Sequence, residues 1–204
     1  IERKTVRIQI HPTHPEPRKI KRVVEVLEQG GVIAYPTDTV YGLGCDIRQK
    51  KAIEKVYRIK GVPDDHPVSF VCPDLGDIAR YAVVDDAAYR VMRRLLPGPY
   101  TFILHSTREV PRMVMRKRKT VGIRVPHHEV ALAIVRELGA PIISTSISKN
   151  GEVMNDPEEI EDSFKAIDLV IDSGPGGLIS STIVDLTEGY PQIARVGAGD
   201  PDVV

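Results

Sequence analysis

Apolar positions follow two rhythms along the chain, one typical of helices and one typical of short buried strands. Residues 20–27 carry apolar side chains at helical spacing until Gly30-Gly31 interrupts the pattern, which predicts an amphipathic helix ended by glycine. Residues 32–35 form a short apolar run that stops at Pro36, which is typical of a buried strand. The same criteria predict helices at residues 50–59, 87–96 and 129–138 and from residue 157, and strands at residues 5–10, 68–72, 100–104, 120–124, 141–144, 169–172, 182–186 and 192–196.

The order of these elements predicts the fold class. Helices and strands interleave along the whole length, which favours an α/β fold with a largely buried, twisted sheet. The last predicted strands follow one another without helices between them, so we expect antiparallel pairs and a mixed sheet. Since the 204 residues contain no evident linker or repeat, a single domain over residues 1–204 is expected.

Charge is balanced over the chain but unevenly placed. The 28 basic and 28 acidic side chains cancel, yet residues 150–204 hold twelve acidic and two basic ones, a net charge of −10. Residues 1–149 therefore carry a net charge of +10. This excludes a uniformly basic nucleic-acid binder but not a polarised one. The densest basic stretch, which is either a solvated face or a surface for phosphates, contains Arg112, Arg116, Lys117, Arg118, Lys119 and Arg124.

Several classes of protein are disfavoured by what the sequence lacks. Cys45 and Cys72 are the two cysteines, and they form no C-x-x-C motif, which suits a reducing cytosol and offers no zinc ligand set. No metal site is predicted. No segment approaches the ~18 consecutive apolar residues of a membrane span, and the beginning of the chain lacks an apolar signal region. We therefore expect a cytoplasmic location without membrane association.

Polar segments that adjoin predicted strands and helices are the candidate sites. Arg124, at the end of a predicted buried strand, is suited to a bidentate carboxylate contact or to an ion pair with an acidic residue. Lys60, at a helix end, is suited to a phosphate or to the helix dipole alone. The hydroxyl residues in 144–151 could form an anion-binding nest or a solvent loop. Residues 35–44 are equally compatible with a polar ligand site and with a turn that satisfies its own backbone.

Six motifs taken together resemble one family. They read Pro-Thr-Asp-Thr-Val-Tyr-Gly-Leu-Gly, Lys-Gly-x-Pro…His-Pro, Leu-Pro-Gly-Pro-Tyr-Thr, Gly-Ile-Arg-Val-Pro, Ser-Thr-Ser and Ser-Thr-Ile-Val-Asp. In this order they resemble the YrdC/YciO family, which includes the threonylcarbamoyl-AMP synthases, from about Gly30 to Arg195. The resemblance implies a YrdC-like domain with a core at about residues 17–197. It also implies a twisted, mixed, mostly parallel sheet with flanking helices and a basic concave face.

The resemblance also implies a nucleotidyltransferase activity. L-threonine, bicarbonate and ATP would be joined into threonylcarbamoyl-AMP, which serves the threonylcarbamoyladenosine modification of tRNA. ATP would be a substrate, Mg²⁺ could bridge its phosphates, and no tightly bound cofactor is expected. By motif, threonine would be bound by Thr39, Arg124, Ser144 and Ser181, and the nucleotide by Lys60, His66, Thr120, Ser146 and Arg195, with Lys60 and Ser146 as the catalytic residues.

Two departures from the synthase motifs suggest the YciO branch of the family. The synthase signature Lys-x-Arg reads Lys60-Gly61-Val62 here, unless Arg58 in the preceding helix takes the place of the missing arginine. The signature Ser-x-Asn reads Ser146-Ile147-Ser148. These departures keep a second hypothesis open, a protein without full synthase activity that binds tRNA or double-stranded RNA. Its RNA-binding residues would be Arg116, Lys117, Arg118 and Lys119.

Overall fold

A ten-stranded mixed sheet runs through the protein in a computed structural model that describes residues 4–114 and 119–204. The strands are β1 (Val6–Gln9), β2 (Ile33–Tyr35), β3 (Gly42–Asp46), β4 (Ser69–Val71), β5 (Tyr100–His105), β6 (Thr120–Arg124), β7 (Ile142–Ser146), β8 (Ser148–Lys149), β9 (Glu152–Val153), β10 (Leu169–Asp172), β11 (Thr182–Asp185) and β12 (Gln192–Arg195). The helices are α1 (Pro17–Glu28), α2 (Lys50–Lys60), α3 (Leu75–Tyr81), α4 (Asp86–Leu95), α5 (Glu129–Leu138) and α6 (Pro157–Ser163). Short 3-10 helices cover Arg112–Val114 and Pro201–Val203.

The strand order across the large sheet is β1-β10-β2-β3-β7-β4-β6-β5-β11-β12, and β8 pairs with β9 in a separate hairpin. Among these described strands, six of the ten in the large sheet run in one direction, namely β1, β10, β2, β7, β5 and β11. The prediction of a mixed α/β sheet is thereby confirmed. The expected antiparallel pair near the end of the chain is β11–β12, whereas β10 lies between β1 and β2.

The helices cover the sheet with the apolar faces that the sequence predicted. In α1 the buried residues are Ile20, Val23, Val24 and Leu27, and Pro17 occupies the first turn, where its missing N–H costs no helical hydrogen bond. This helix packs against α5. Helix α2 ends at Gly61, which adopts a left-handed conformation with φ of 70°, as is common at helix ends. That ending places Lys60 at the rim of the sheet.

Strand β3 differs from the sequence-based interpretation, in which residues 35–44 formed a polar loop. Residues 42–46 are instead a fully buried strand between β2 and β7. The ring of Tyr35 lies against Gly42 and Gly44, since a Cβ at either glycine would come within 2.7 or 3.0 Å of the ring. The two glycines therefore make room for an aromatic side chain rather than marking a turn.

Helix α3 was not predicted because it is only seven residues long and contains Gly76. It begins at Asp74, whose side chain accepts a hydrogen bond from the Asp77 amide at 2.9 Å, the usual N-cap arrangement.

In the ranges that the structure covers, no helix combines the length and apolar character needed to cross a bilayer.

Candidate active site

A cavity of about 350 Å³ collects the predicted motifs at one place on the sheet. Strand β7 lies at its centre, because β3 and β4 flank it and their registers set Gly42 opposite Ser146 and Ser69 opposite Ser144. The sequence-predicted residues that line the cavity are Thr39, Lys60, His66, Arg124, Ser144, Ser146, Ser181 and Arg195. Thr120 is not among the lining residues. It lies buried at the beginning of β6, opposite His105 of β5.

Arg124 is held at the edge of the cavity by two residues of the β2–β3 connection. Its Nη2 donates to Asp38 Oδ1 at 2.6 Å and its Nη1 to Thr39 Oγ1 at 3.1 Å. Both charged side chains are about one-tenth exposed, and Asp38 Oδ2 also accepts the His127 amide at 3.0 Å. Of the two sequence-based interpretations of Arg124, the ion pair is thus formed, and the guanidinium also lines the cavity.

One donor of the Arg124 guanidinium is left without a partner among the described residues. Its Nε is buried and lacks a hydrogen-bond partner within the described part of the chain. Asp38, which positions Arg124 without lining the cavity, was not predicted from the sequence, although it lies within the Pro-Thr-Asp-Thr motif. The signal that could have found it is its position next to Thr39, on the same loop as the predicted threonine contact.

The β2–β3 connection is kept rigid by its own threonines. Thr37 Oγ1 accepts the Thr39 amide at 3.1 Å and donates to the Val40 carbonyl at 2.6 Å. Gly177 packs against the same connection so closely that a Cβ there would lie 2.1 Å from the Thr39 carbonyl oxygen. This loop therefore combines hydrogen bonds to its own backbone with a place in the cavity lining, which includes both Thr37 and Thr39.

Lys60 reaches across from the end of α2 to the end of β7. Its ammonium donates to the Ser146 carbonyl at 2.6 Å, to Ser146 Oγ at 3.1 Å and to Ser148 Oγ at 3.1 Å. Because no carboxylate balances it in these contacts, burial lowers the pKa of Lys60. The arrangement fixes a positive charge beside two serine hydroxyls, which suits an anionic ligand.

Arg195 provides a further cation in the cavity lining. Its Nε and Nη2 donate to the Ser181 carbonyl at 3.2 and 2.8 Å. Burial and the nearby charge of Arg124 lower the pKa of Arg195. Ser181 Oγ shares a hydrogen bond of 2.7 Å with Thr101 Oγ1. The lining residues that the sequence analysis did not predict are Thr37, Val40, Gly42, Pro67, Ser69, Thr101, Thr145, Ser180 and Ile183.

The family model Sua5_yciO_yrdC, described as telomere recombination, matches residues 25–197. The chain belongs to the Sua5/YciO/YrdC family. This confirms the resemblance drawn from the motifs.

Two members of the Sua5/YciO/YrdC family resemble the chain in both sequence and structure. YciO of Escherichia coli is 45% identical over 195 residues, which cover 94% of this chain and 95% of YciO. The crystal structure of E. coli YciO superimposes with a TM-score of 0.93 at 43% identity, covering 98% of both chains. The threonylcarbamoyl-AMP synthase of Pyrococcus abyssi is 31% identical over 88% of this chain, which spans 54% of the synthase. The structure of P. abyssi Sua5 complexed with L-threonine gives a TM-score of 0.83 at 30% identity, over 95% of this chain and 58% of Sua5.

The two departures from the synthase signatures have different surroundings. Ser148, in the place of the asparagine, takes a hydrogen bond from Lys60 at 3.1 Å. Val62, in the place of the arginine, packs partly buried against the hydrophobic core. Arg58 is exposed and is not among the lining residues, so it does not stand in for that arginine in the cavity described.

The structure describes only part of the basic stretch. Arg116, Lys117 and Arg118 lie outside the described residues. Lys119 is exposed, with a positive φ of 54°.

Within the described ranges, no group of three or more His, Cys, Asp or Glu side chains is placed to hold a metal ion.

Proposed function

We propose that this cavity binds L-threonine and MgATP and forms threonylcarbamoyl-AMP or a close analogue for tRNA modification. The observation that carries the proposal is the cavity of about 350 Å³ in which Lys60, Arg124 and Arg195 stand among hydroxyl residues. Three cations and many hydroxyls suit a ligand pair that contains a carboxylate and a triphosphate. Membership in a family with threonylcarbamoyl-AMP synthases, one solved with L-threonine, supports the same assignment.

The proposed reaction has two bond-forming steps. The threonine amine and bicarbonate form a carbamate with loss of water. A carbamate oxygen then attacks the α-phosphorus of ATP, and the bond to the β-phosphate oxygen breaks to release pyrophosphate. Catalysis consists of holding the two anions together and stabilising the charge at the attacked phosphorus. Arg124 takes the threonine carboxylate, and Lys60 and Arg195 face the nucleotide phosphates.

The test is pyrophosphate release from purified protein supplied with ATP, Mg²⁺, L-threonine and bicarbonate. We expect release that requires all three substrates, together with a product of the mass of threonylcarbamoyl-AMP. The P. abyssi synthase serves as the positive control under the same conditions. Release that does not depend on threonine, or no release beside an active control, contradicts the proposal.

The charge of Lys60 makes nucleotide binding dependent on pH. Burial lowers the pKa of Lys60 from the ordinary 10.5, so this ammonium loses its proton at a lower pH than a surface lysine. The Kd for ATP is therefore expected to rise several-fold between about pH 7 and pH 10, where the phosphates stay ionised. Calorimetric titration over this range measures it.

Two variants of helix α2 isolate this effect. Lys60→Arg keeps its charge throughout, because arginine titrates above about pH 12, and its Kd should change less with pH. Lys51→Arg, at an exposed position of the same helix, should follow the unmodified protein. Equal pH profiles in all three proteins would assign the titration to another group.

A further inference from the structure

Two serines stand side by side on the face of β7 that borders the cavity. Ser144 and Ser146 are two residues apart, so their side chains point to the same side of the strand, and both line the cavity. Each receives a hydrogen bond from another side chain. The Tyr35 hydroxyl donates to Ser144 Oγ, and Lys60 Nζ donates to Ser146 Oγ.

Tyr35 is held rigidly for this contact. Its side chain is fully buried, and its ring fills the space left by Gly42 and Gly44 in the neighbouring strand. Burial raises the pKa of the Tyr35 phenol to about 12, so the hydroxyl keeps its proton near neutral pH. Tyr35 therefore remains a hydrogen-bond donor to Ser144 throughout the physiological range.

A hydroxyl that accepts a hydrogen bond still has its own hydrogen to donate. In the described part of the chain, no protein atom accepts a hydrogen bond from Ser144 Oγ. We infer that Tyr35 is a positioning residue that sets the Ser144 hydroxyl to donate into the cavity, to an anionic oxygen of the threonine substrate. Lys60 acts on Ser146 in the same way, so β7 presents two donors in a row.

This inference rests on the proposed function, because it names an oxygen of L-threonine as the acceptor. It adds a residue that does not line the cavity and acts only through Ser144. The geometry leads to a specific requirement. Removing the phenol hydroxyl must weaken ligand binding while Ser144 is present, and must have no effect on binding once the Ser144 hydroxyl is gone.

A double-mutant cycle tests this requirement by calorimetric titration of L-threonine. Tyr35→Phe is expected to raise the Kd about fivefold, the effect of one hydrogen bond. Ser144→Ala is expected to raise it about tenfold or more. The double variant should bind like Ser144→Ala alone, since Tyr35 then has no hydroxyl to orient. Thermal unfolding followed by circular dichroism establishes that each variant is folded.

A second measurement keeps the test decisive if Tyr35→Phe does not fold. Biosynthetic replacement of the tyrosines by 3-fluorotyrosine preserves side-chain volume and makes the phenol a stronger donor. We expect tighter threonine binding in the otherwise unmodified protein and unchanged binding in Ser144→Ala. Independent, additive effects of the two sites overturn the inference and leave the proposed function standing. No threonine binding by the unmodified protein overturns both.

Discussion

Replacing Asp38 by alanine is expected to lower the free energy of unfolding by about 3–5 kcal/mol, the cost of leaving a buried charge without its partner. The Asp38–Arg124 pair is 2.6 Å long, with both side chains about one-tenth exposed. The His127 amide loses its acceptor in the same change. Urea unfolding followed by circular dichroism measures the loss.

Two comparisons identify the cause of this loss. Asp162→Ala removes an aspartate from a highly exposed pair with Lys165 at 3.8 Å, and should cost less than about 1 kcal/mol. Asp38→Ala combined with Arg124→Leu removes both charges, so it should be more stable than Asp38→Ala alone. A cost for Asp38→Ala no larger than that for Asp162→Ala would mean that the pair does not stabilise the fold.

The contact between Asp38 and Arg124 could be predicted from the sequence only in part. The motif around Thr39 and the end of β6 at Arg124 were both recognisable, because each is a polar group beside an apolar run. The sequence did not reveal which of the 28 acidic residues pairs with Arg124, because the contact joins positions 86 residues apart. Such a pairing depends on strand order, because β3, β7 and β4 lie between β2 and β6 in the sheet.

Local patterns were most informative where the interactions are local. Helix α1 was predictable because its apolar residues share one face and glycine follows it. Strand β3 was not predictable, because Gly42 and Gly44 are residues typical of a turn. Both positions are glycine because the ring of Tyr35 on the adjacent strand lies against them, and this contact forms only once β2 and β3 pair.

The cations of the cavity differ in their electrostatic character. Arg124 is paired with Asp38, so the charge of its guanidinium is largely balanced. Lys60 contacts only a carbonyl and hydroxyls in the hydrogen bonds described. A ligand with one carboxylate therefore suits Arg124, where geometry matters most. A multiply charged phosphate chain suits Lys60 and Arg195, whose described hydrogen bonds go to carbonyls and hydroxyls.

Lys60→Met is accordingly expected to reduce the proposed pyrophosphate release about 100-fold or more, as does loss of a group that stabilises transition-state charge. Methionine keeps most of the length of the side chain and removes the ammonium. The Kd for ATP should rise, whereas that for L-threonine should change little, because Arg124, Asp38 and Thr39 are untouched. Steady-state kinetics and separate titrations of the two ligands measure these effects.

The separate ligand titrations decide whether Lys60 acts on the nucleotide or only holds β7 in place. Its three hydrogen bonds to Ser146 and Ser148 mean that Lys60→Met also removes contacts that order the end of the strand. Disorder there would reach Ser144 and weaken threonine binding as well. Loss of affinity for both ligands would assign Lys60 a structural role, and Lys51→Met, at an exposed position of the same helix, provides the matched control. Loss of ATP affinity alone is the result that the position of the Lys60 ammonium in the cavity predicts.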